Sequence, residues 1–220
     1  MIRSNKRVQF KLLNTALLTA CALVASPAMA EGEVSYNAAV VSKYIWRGFD
    51  LSNEGPALQG GVDYEHKNGF YAGAWASTYD FAEEDDGVEI DLYAGYSLAL
   101  NDDFYLDASV SSYQYTGDTD SSLEWKVGLV HDRFEINYHH DQDLDTDYVE
   151  LNANYPVNEQ ISANFHYGVN DDGDDNYYDY SVSLSYAISD MWEVSLGYSA
   201  HEFDSQFAEG TIFAGAFVYF

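Results

Sequence analysis

From Val88 to Leu100 the chain alternates without a break: Val88, Ile90, Leu92, Ala94, Tyr96, Leu98 and Leu100 are apolar or aromatic, and Glu89, Asp91, Tyr93, Gly95, Ser97 and Ala99 lie between them. A period of two held this long predicts a β-strand longer than soluble proteins commonly build, and suits a tilted strand that crosses a bilayer. The alternation returns with turn residues between its segments and predicts twelve strands, near 33–47, 56–67, 69–81, 88–100, 104–116, 122–132, 134–141, 147–157, 161–170, 177–188, 192–203 and 210–220. An even number is what a single-chain bacterial barrel requires. Lys67-Asn68-Gly69, Asn101-Asp102-Asp103, Asp132-Arg133, 156–160 and Ser189-Asp190 read as tight turns, while the alternate connections are mostly longer and acidic. Short periplasmic turns and longer outer loops are the usual asymmetry. The predicted fold class is therefore all-β: a transmembrane antiparallel up-and-down β-barrel over residues 31–220.

Parity divides each strand into two faces. Leu92, Leu98, Leu106, Val110, Trp125, Val127, Ile136, Leu184 and Leu196 form a face suited to lipid. The other face carries Asp63, Glu65, Glu89, Asp91, Asp107, Glu124, Lys126, Glu135, Glu150, Asp179 and Glu193, with Lys43 and Arg47 on the expected first strand. A soluble sandwich would bury the first set and expose the second, so parity by itself leaves both architectures open. Aromatic residues at strand ends favour the membrane: Tyr36, Phe70, Phe104, Phe134, Tyr155 and Trp192 at one end, and Tyr44, Trp46, Tyr79, Phe81, Tyr113 and Tyr178 at the other, as in interfacial girdles.

Residues 1–30 have the form of a secretory signal, with Arg3, Lys6, Arg7 and Lys11 before an apolar stretch and Ala28-Met29-Ala30 as the cleavage site. A rival site, Leu18-Thr19-Ala20-Cys21, resembles a lipoprotein box. Cleavage after Ala30 removes Cys21, the single cysteine, and with it any thiolate chemistry. It also leaves five basic residues against 37 acidic ones, a formal charge of −32. Nucleic acid is a poor partner for such a surface, and cations are natural ones. The last strand ends on Phe220, which suits recognition by the barrel assembly machinery. Outer-membrane lipid and lipopolysaccharide are the expected surroundings, in the outer membrane of a Gram-negative bacterium.

The segment Tyr44-Ile-Trp-Arg-Gly-Phe-Asp-Leu-Ser-Asn-Glu-Gly-Pro-Ala-Leu-Gln-Gly-Gly-Val-Asp-Tyr64 resembles the first hairpin of the TorF-type porins, a bacterial outer-membrane β-barrel family of uncharacterised function. The Trp-Arg-Gly, Ser-Asn, Pro-Ala and Gln-Gly-Gly elements carry the resemblance. It implies a porin-type barrel and brings no catalytic residues or substrate.

Ten carboxylates on the inner face, opposed by Lys43, Arg47 and Lys126, predict a wet, cation-attracting lumen. Arg47 and Lys43 suit either a positive constriction or neutralisation of a packed interior. Twelve strands lie between small barrels filled by side chains and open porins, so an open bore and a plugged one both fit. The small residues Ser181, Ser183, Ser185, Ala187, Ser195, Gly197 and Ser199 argue for space on their side. In the outer loops Asp141, Asp143, Asp145 and Asp147 are a candidate site for loosely bound Ca²⁺ or Mg²⁺, although Thr146 and Asn152 break an EF-hand pattern. Adjacent His139 and His140 point to opposite faces and do not chelate one ion from a regular strand. No nucleophile motif surrounds any serine, so no enzyme and no resident cofactor are expected. The function expected is a porin or narrow channel for passive diffusion of small cationic or neutral solutes. The alternative is a closed barrel acting as a structural or surface interaction protein, with cation-binding acidic loops.

Overall fold

A computed structural model describes residues 32–82, 85–171, 173, 176–203 and 209–220; the expected signal segment 1–30 lies outside them. The chain forms β1 (Gly32–Val41), β2 (Ile45–Trp46), β3 (Phe49–Asp50), β4 (Ala57–His66), β5 (Phe70–Asp80), β6 (Asp86–Ala99) and β7 (Phe104–Tyr115). It continues with β8 (Ser122–His131), β9 (Phe134–Asp141), β10 (Thr146–Pro156), β11 (Ile161–Asp171), β12 (Asn176–Ala187), β13 (Trp192–Phe203) and β14 (Glu209–Tyr219). Twelve of these close one antiparallel barrel in the order β1-β14-β13-β12-β11-β10-β9-β8-β7-β6-β5-β4, and β2 and β3 pair with each other alone. The seam runs between the first and last strands, with Asn37 opposite Tyr219 and Val41 opposite Gly215. Phe220 N–H donates to Tyr36 O at 2.9 Å, so pairing continues to the last residue. Closure leaves no free sheet edge, which is the condition for a β-structure in hydrocarbon.

The two faces separate as the alternation predicts. Leu92, Leu98, Val127, Leu184 and Leu196 are exposed on the outside, Leu196 to 60 %. Gln59, Ser77, Glu89, Asp107, Glu124, Asn137, Asp179 and Ser199 are buried inside. A polar core beneath an apolar surface inverts the soluble arrangement and fits a lipid surround.

Two expectations need correction. The first strand does not run to residue 47: β1 ends at Val41, and Lys43 and Arg47 leave the wall. Alternation persists through Ile45–Trp46 because those residues form a second, separate hairpin, which period two cannot distinguish from wall. The outer-end girdle is also overturned in part. Tyr44 and Tyr79 are buried to within 4 % and 3 % of full enclosure, Tyr113 shares the inner parity of Asp91 opposite it, and Trp46 lies in the hairpin. At the short-turn end Tyr36, Phe70, Tyr155 and Trp192 are exposed on the outer face, as a girdle requires.

Leu184 and Leu196 face each other across β12 and β13 on the outer surface. Leu196→Arg is expected to destabilise the barrel in phospholipid by about 2–4 kcal/mol. Equilibrium unfolding in vesicles checks this, and a variant as stable as wild type would contradict the lipid-facing assignment.

Candidate functional site

The connection between β1 and β4, residues 42–56, folds as two reversals in succession. Arg47 and Gly48 have φ of 46° and 87°, the pair of left-handed conformations that defines a two-residue type I′ hairpin between Trp46 and Phe49. Asn53 and Glu54 are also left-handed, at 48° and 61°, and Gly55 N–H closes their turn on Ser52 O at 2.7 Å. Asp50 secures the second reversal by accepting from Ser52 N and Oγ, each at 2.9 Å, and from Glu54 N at 3.0 Å. Lys43 lies 3.7 Å from both Asp50 and Glu54 and holds the two turns together. Leu51 N–H bonds Tyr44 O, and Asp80 N–H bonds Leu51 O, tying the base of the unit to β5.

The unit crosses the interior of the barrel. Tyr44 donates to Glu89 on β6 at 2.9 Å. Arg47 reaches Glu124 on β8 at 2.6 Å and lies 4.0 Å above the ring of Tyr148 on β10. Gly48 O is 3.0 Å from His201 Nδ1 on β13, and Phe49 stacks on the His201 ring at 4.2 Å and meets Tyr177 of β12 edge-on. Strands β8 and β10 flank the strand opposite β1 in the ring, so the hairpin spans the bore from wall to wall. At the tip only glycine fits. A Cβ on Gly48 would stand 2.8 Å from the Cβ atoms of both Asp179 and His201, on a backbone that already disfavours side chains.

The wall carboxylates anticipated from parity do face inward, and most are engaged. Glu124 is held by Arg47, by Tyr113 at 3.0 Å and by His139 Nδ1 at 2.8 Å. The other ring nitrogen of His139 lies 3.1 Å from Glu150, an arrangement that fits the doubly protonated imidazole. Glu150 also accepts from Asn137, and Asp179 is held by Tyr148 and His166. Lower down, Lys126 and Tyr71 share Asp107, Tyr93 donates to Asp63, and Asn152 donates to Glu135. Glu65 and Glu193 stand one residue from the short-turn ends of β4 and β13. The partners that charge counting misses are tyrosines and histidines. Tyr71, Tyr93, Tyr113, Tyr115, His139, Tyr148 and His166 share the parity of the carboxylates, and that shared parity is the signal that finds them.

Residues 25–216 match the sequence pattern of a bacterial family described as a protein of unknown function, Gcw_chp. The chain belongs to the Gcw_chp family. No curated protein matches it. In fold, this Gcw_chp barrel is similar to the KdgM porin, at a TM-score of 0.60 and 14 % identity over 84 % of this chain and 98 % of that one. KdgM in complex with disordered oligogalacturonate gives 0.56 and 12 % over 85 % and 97 %. The COG4313 outer membrane channel from Pseudomonas putida F1 gives 0.53 and 11 % over 88 % and 98 %. These likenesses establish the porin fold: a closed twelve-stranded antiparallel barrel.

At the long-loop end the acidic residues cap turns. Asp141 accepts from the amides of Asp143 and Leu144, Asp143 from Leu123, and Asp147 from Tyr138 and His140. Asp141, Asp143, Asp145 and Asp147 are not brought together as a ligand set, and among the described residues no group of three candidate ligands could hold a metal ion. The space expected over the small inward residues is also partly taken. The ring of Phe213 on β14 lies over Gly197, where an added Cβ would come within 2.5 Å of it.

Removing the guanidinium leaves Glu124, 4 % exposed, without its closest positive charge. Arg47→Ala is expected to destabilise the folded barrel by about 3–5 kcal/mol, with Arg47→Lys recovering part of it. Urea unfolding in vesicles measures both. In the outer loops the hydroxyls of Thr119 and then Tyr79 hold Asp85 down to about 2. Because its pKa is depressed on folding, the bonds from Thr119 and Tyr79 persist through about pH 4, where free carboxylates titrate, and are lost as pH falls through about 2. Amide exchange at Thr119 N–H, which donates to Asp85 at 3.0 Å, reads this directly; loss of protection already at about pH 4 would contradict it.

Proposed function

We propose that the protein is a channel in the outer membrane of a Gram-negative bacterium, through which small cationic or neutral solutes diffuse passively, and that the β2–β3 hairpin is its constriction. The observation that carries this reading is an acidic inner wall in a porin-fold barrel, crossed by a short hairpin whose base is tied to β5 and whose tip meets wall side chains across the bore. Diffusion requires no reacting group and no cofactor; the protein contributes a passage and a field. The inner carboxylates outnumber Lys43, Arg47, Lys126 and the two imidazoles, so the field favours cations and repels anions. That sign argues against an anionic sugar of the kind seen with KdgM. The resemblance of Tyr44–Tyr64 to TorF-type porins supports the same class of function.

The hairpin also favours a second reading. Its contacts on β6, β8, β10, β12 and β13 suit a closed barrel whose acidic outer loops are a surface for interaction. Conductance in planar bilayers separates the two. The channel reading expects discrete current steps from the folded wild type, and larger steps once residues 45–50 are replaced by a short Gly-Ser link. Steps from the shortened barrel alone would establish the closed reading, and silence from both would sink the channel.

A further inference from the structure

On five successive strands of the inner wall, carboxylates and imidazoles alternate: Glu124 on β8, His139 on β9, Glu150 on β10, His166 on β11 and Asp179 on β12. Neighbours in this belt are in contact. His139 lies 2.8 Å from Glu124 and 3.1 Å from Glu150, and His166 lies 3.7 Å from Glu150 and 2.6 Å from Asp179. Asn152 gives its amide nitrogen to Glu135, so its oxygen faces His166 Nδ1, at 2.6 Å. Each ring therefore has acceptors at both nitrogens, which the doubly protonated form alone satisfies.

Three negative charges in the belt then meet three positive ones, because Arg47 brings the third from the hairpin to Glu124 at 2.6 Å. The other ionisable groups packed against the two rings are engaged elsewhere. Lys126, opposite His139 in the register, pairs with Asp107 at 3.1 Å, and Asp141, opposite Glu124, accepts from the amides of Asp143 and Leu144. Tyr148, opposite His139 on β10, donates to Asp179 and lies under Arg47. His201, opposite Asp179 on β13, bonds Gly48 O through Nδ1, a contact that the neutral Nδ1–H tautomer also makes. The belt is open to the bore: the side chains of His166 and Glu150 keep 20 % and 16 % of their surface accessible, on the inner face.

We propose that His139 and His166 set the strength of the passage's ion preference and tie it to pH; this rests on the channel reading above. While both imidazoles are charged, they and Arg47 balance the three carboxylates. As pH rises and each ring gives its proton to the bore, the same groups carry two net negative charges beside the hairpin tip. Cations are then favoured and anions repelled more strongly at the constriction. Arg47 keeps its charge throughout and holds Glu124 in both states, so the hairpin stays docked while the field around it changes.

Reversal potentials in a KCl gradient at about pH 5.5 and about pH 9, either side of the imidazole range, test the assignment, with folding of each variant confirmed by its heat-modifiable migration. The wild-type K⁺-to-Cl⁻ permeability ratio is expected to rise by roughly fivefold or more between the two, the scale set by fixed charges a few ångströms from a passing ion. His139→Gln combined with His166→Gln, which keeps hydrogen-bonding side chains that cannot charge, is expected to lose most of that rise and to show the high ratio already in acid. A wild-type ratio that does not move, or a folded double variant that keeps the full rise, would overturn the proposal and leave the channel reading intact. A wild type that passes no current would mean that the channel reading itself has failed, and the proposal with it. If the double variant does not fold, His166→Gln carries the test at the more accessible ring: about half of the rise is expected to go, and its full retention overturns the proposal.

Discussion

Closing period-two strands into a cylinder sends every second side chain into one shared interior, and this constraint governs the rest of the structure. A flat sheet could leave its polar face in water. A barrel of this size sends Glu89, Asp107, Glu124, Glu150 and Asp179 into one interior, and each has to find a positive charge, a donor or a proton. Tyrosine hydroxyls meet much of that need from strands one or two places away in the ring. Tyr115 serves Glu89, Tyr113 serves Glu124, Tyr71 serves Asp107 and Tyr148 serves Asp179. Each of these rings fills volume with its body and satisfies a carboxylate with its tip, which suits an interior that must be both packed and polar.

The hairpin is the second answer to the same constraint. It brings a guanidinium to Glu124, a phenol to Glu89 and a backbone carbonyl to His201 from a segment of fifteen residues, 42–56. Its two left-handed turns account for Arg47-Gly48 and Asn53-Glu54-Gly55 standing where they do in that segment. These residues are there to reverse the chain twice in a confined space, and Arg47 lies both in the turn and in the ion pair.

Strand number, strand order and the sign of each face were legible in the sequence because alternation and turn residues act locally. The inner carboxylates were legible for the same reason. What escaped depends on register or on departure from the wall. Nothing in the alternation of 33–47 distinguishes a strand that continues upward from one that turns inward at Ser42. The covering of Gly197 by Phe213 requires knowing that β13 and β14 pair with those residues opposite. The engagement of Asp141 with the amides of Asp143 and Leu144 is short-range turn chemistry, which a pattern of alternating aspartates conceals behind its likeness to a metal loop.

The hairpin leaves the wall from β1, the strand that forms the seam with β14. Its tip touches β8, β10, β12 and β13, so it reaches its full set of contacts only when those strands stand around it. It is therefore in position to serve as a mandrel: later strands can be laid against Arg47, Gly48 and Phe49 as they arrive, and a wall assembled around a misfolded tip would meet its own last strand out of step.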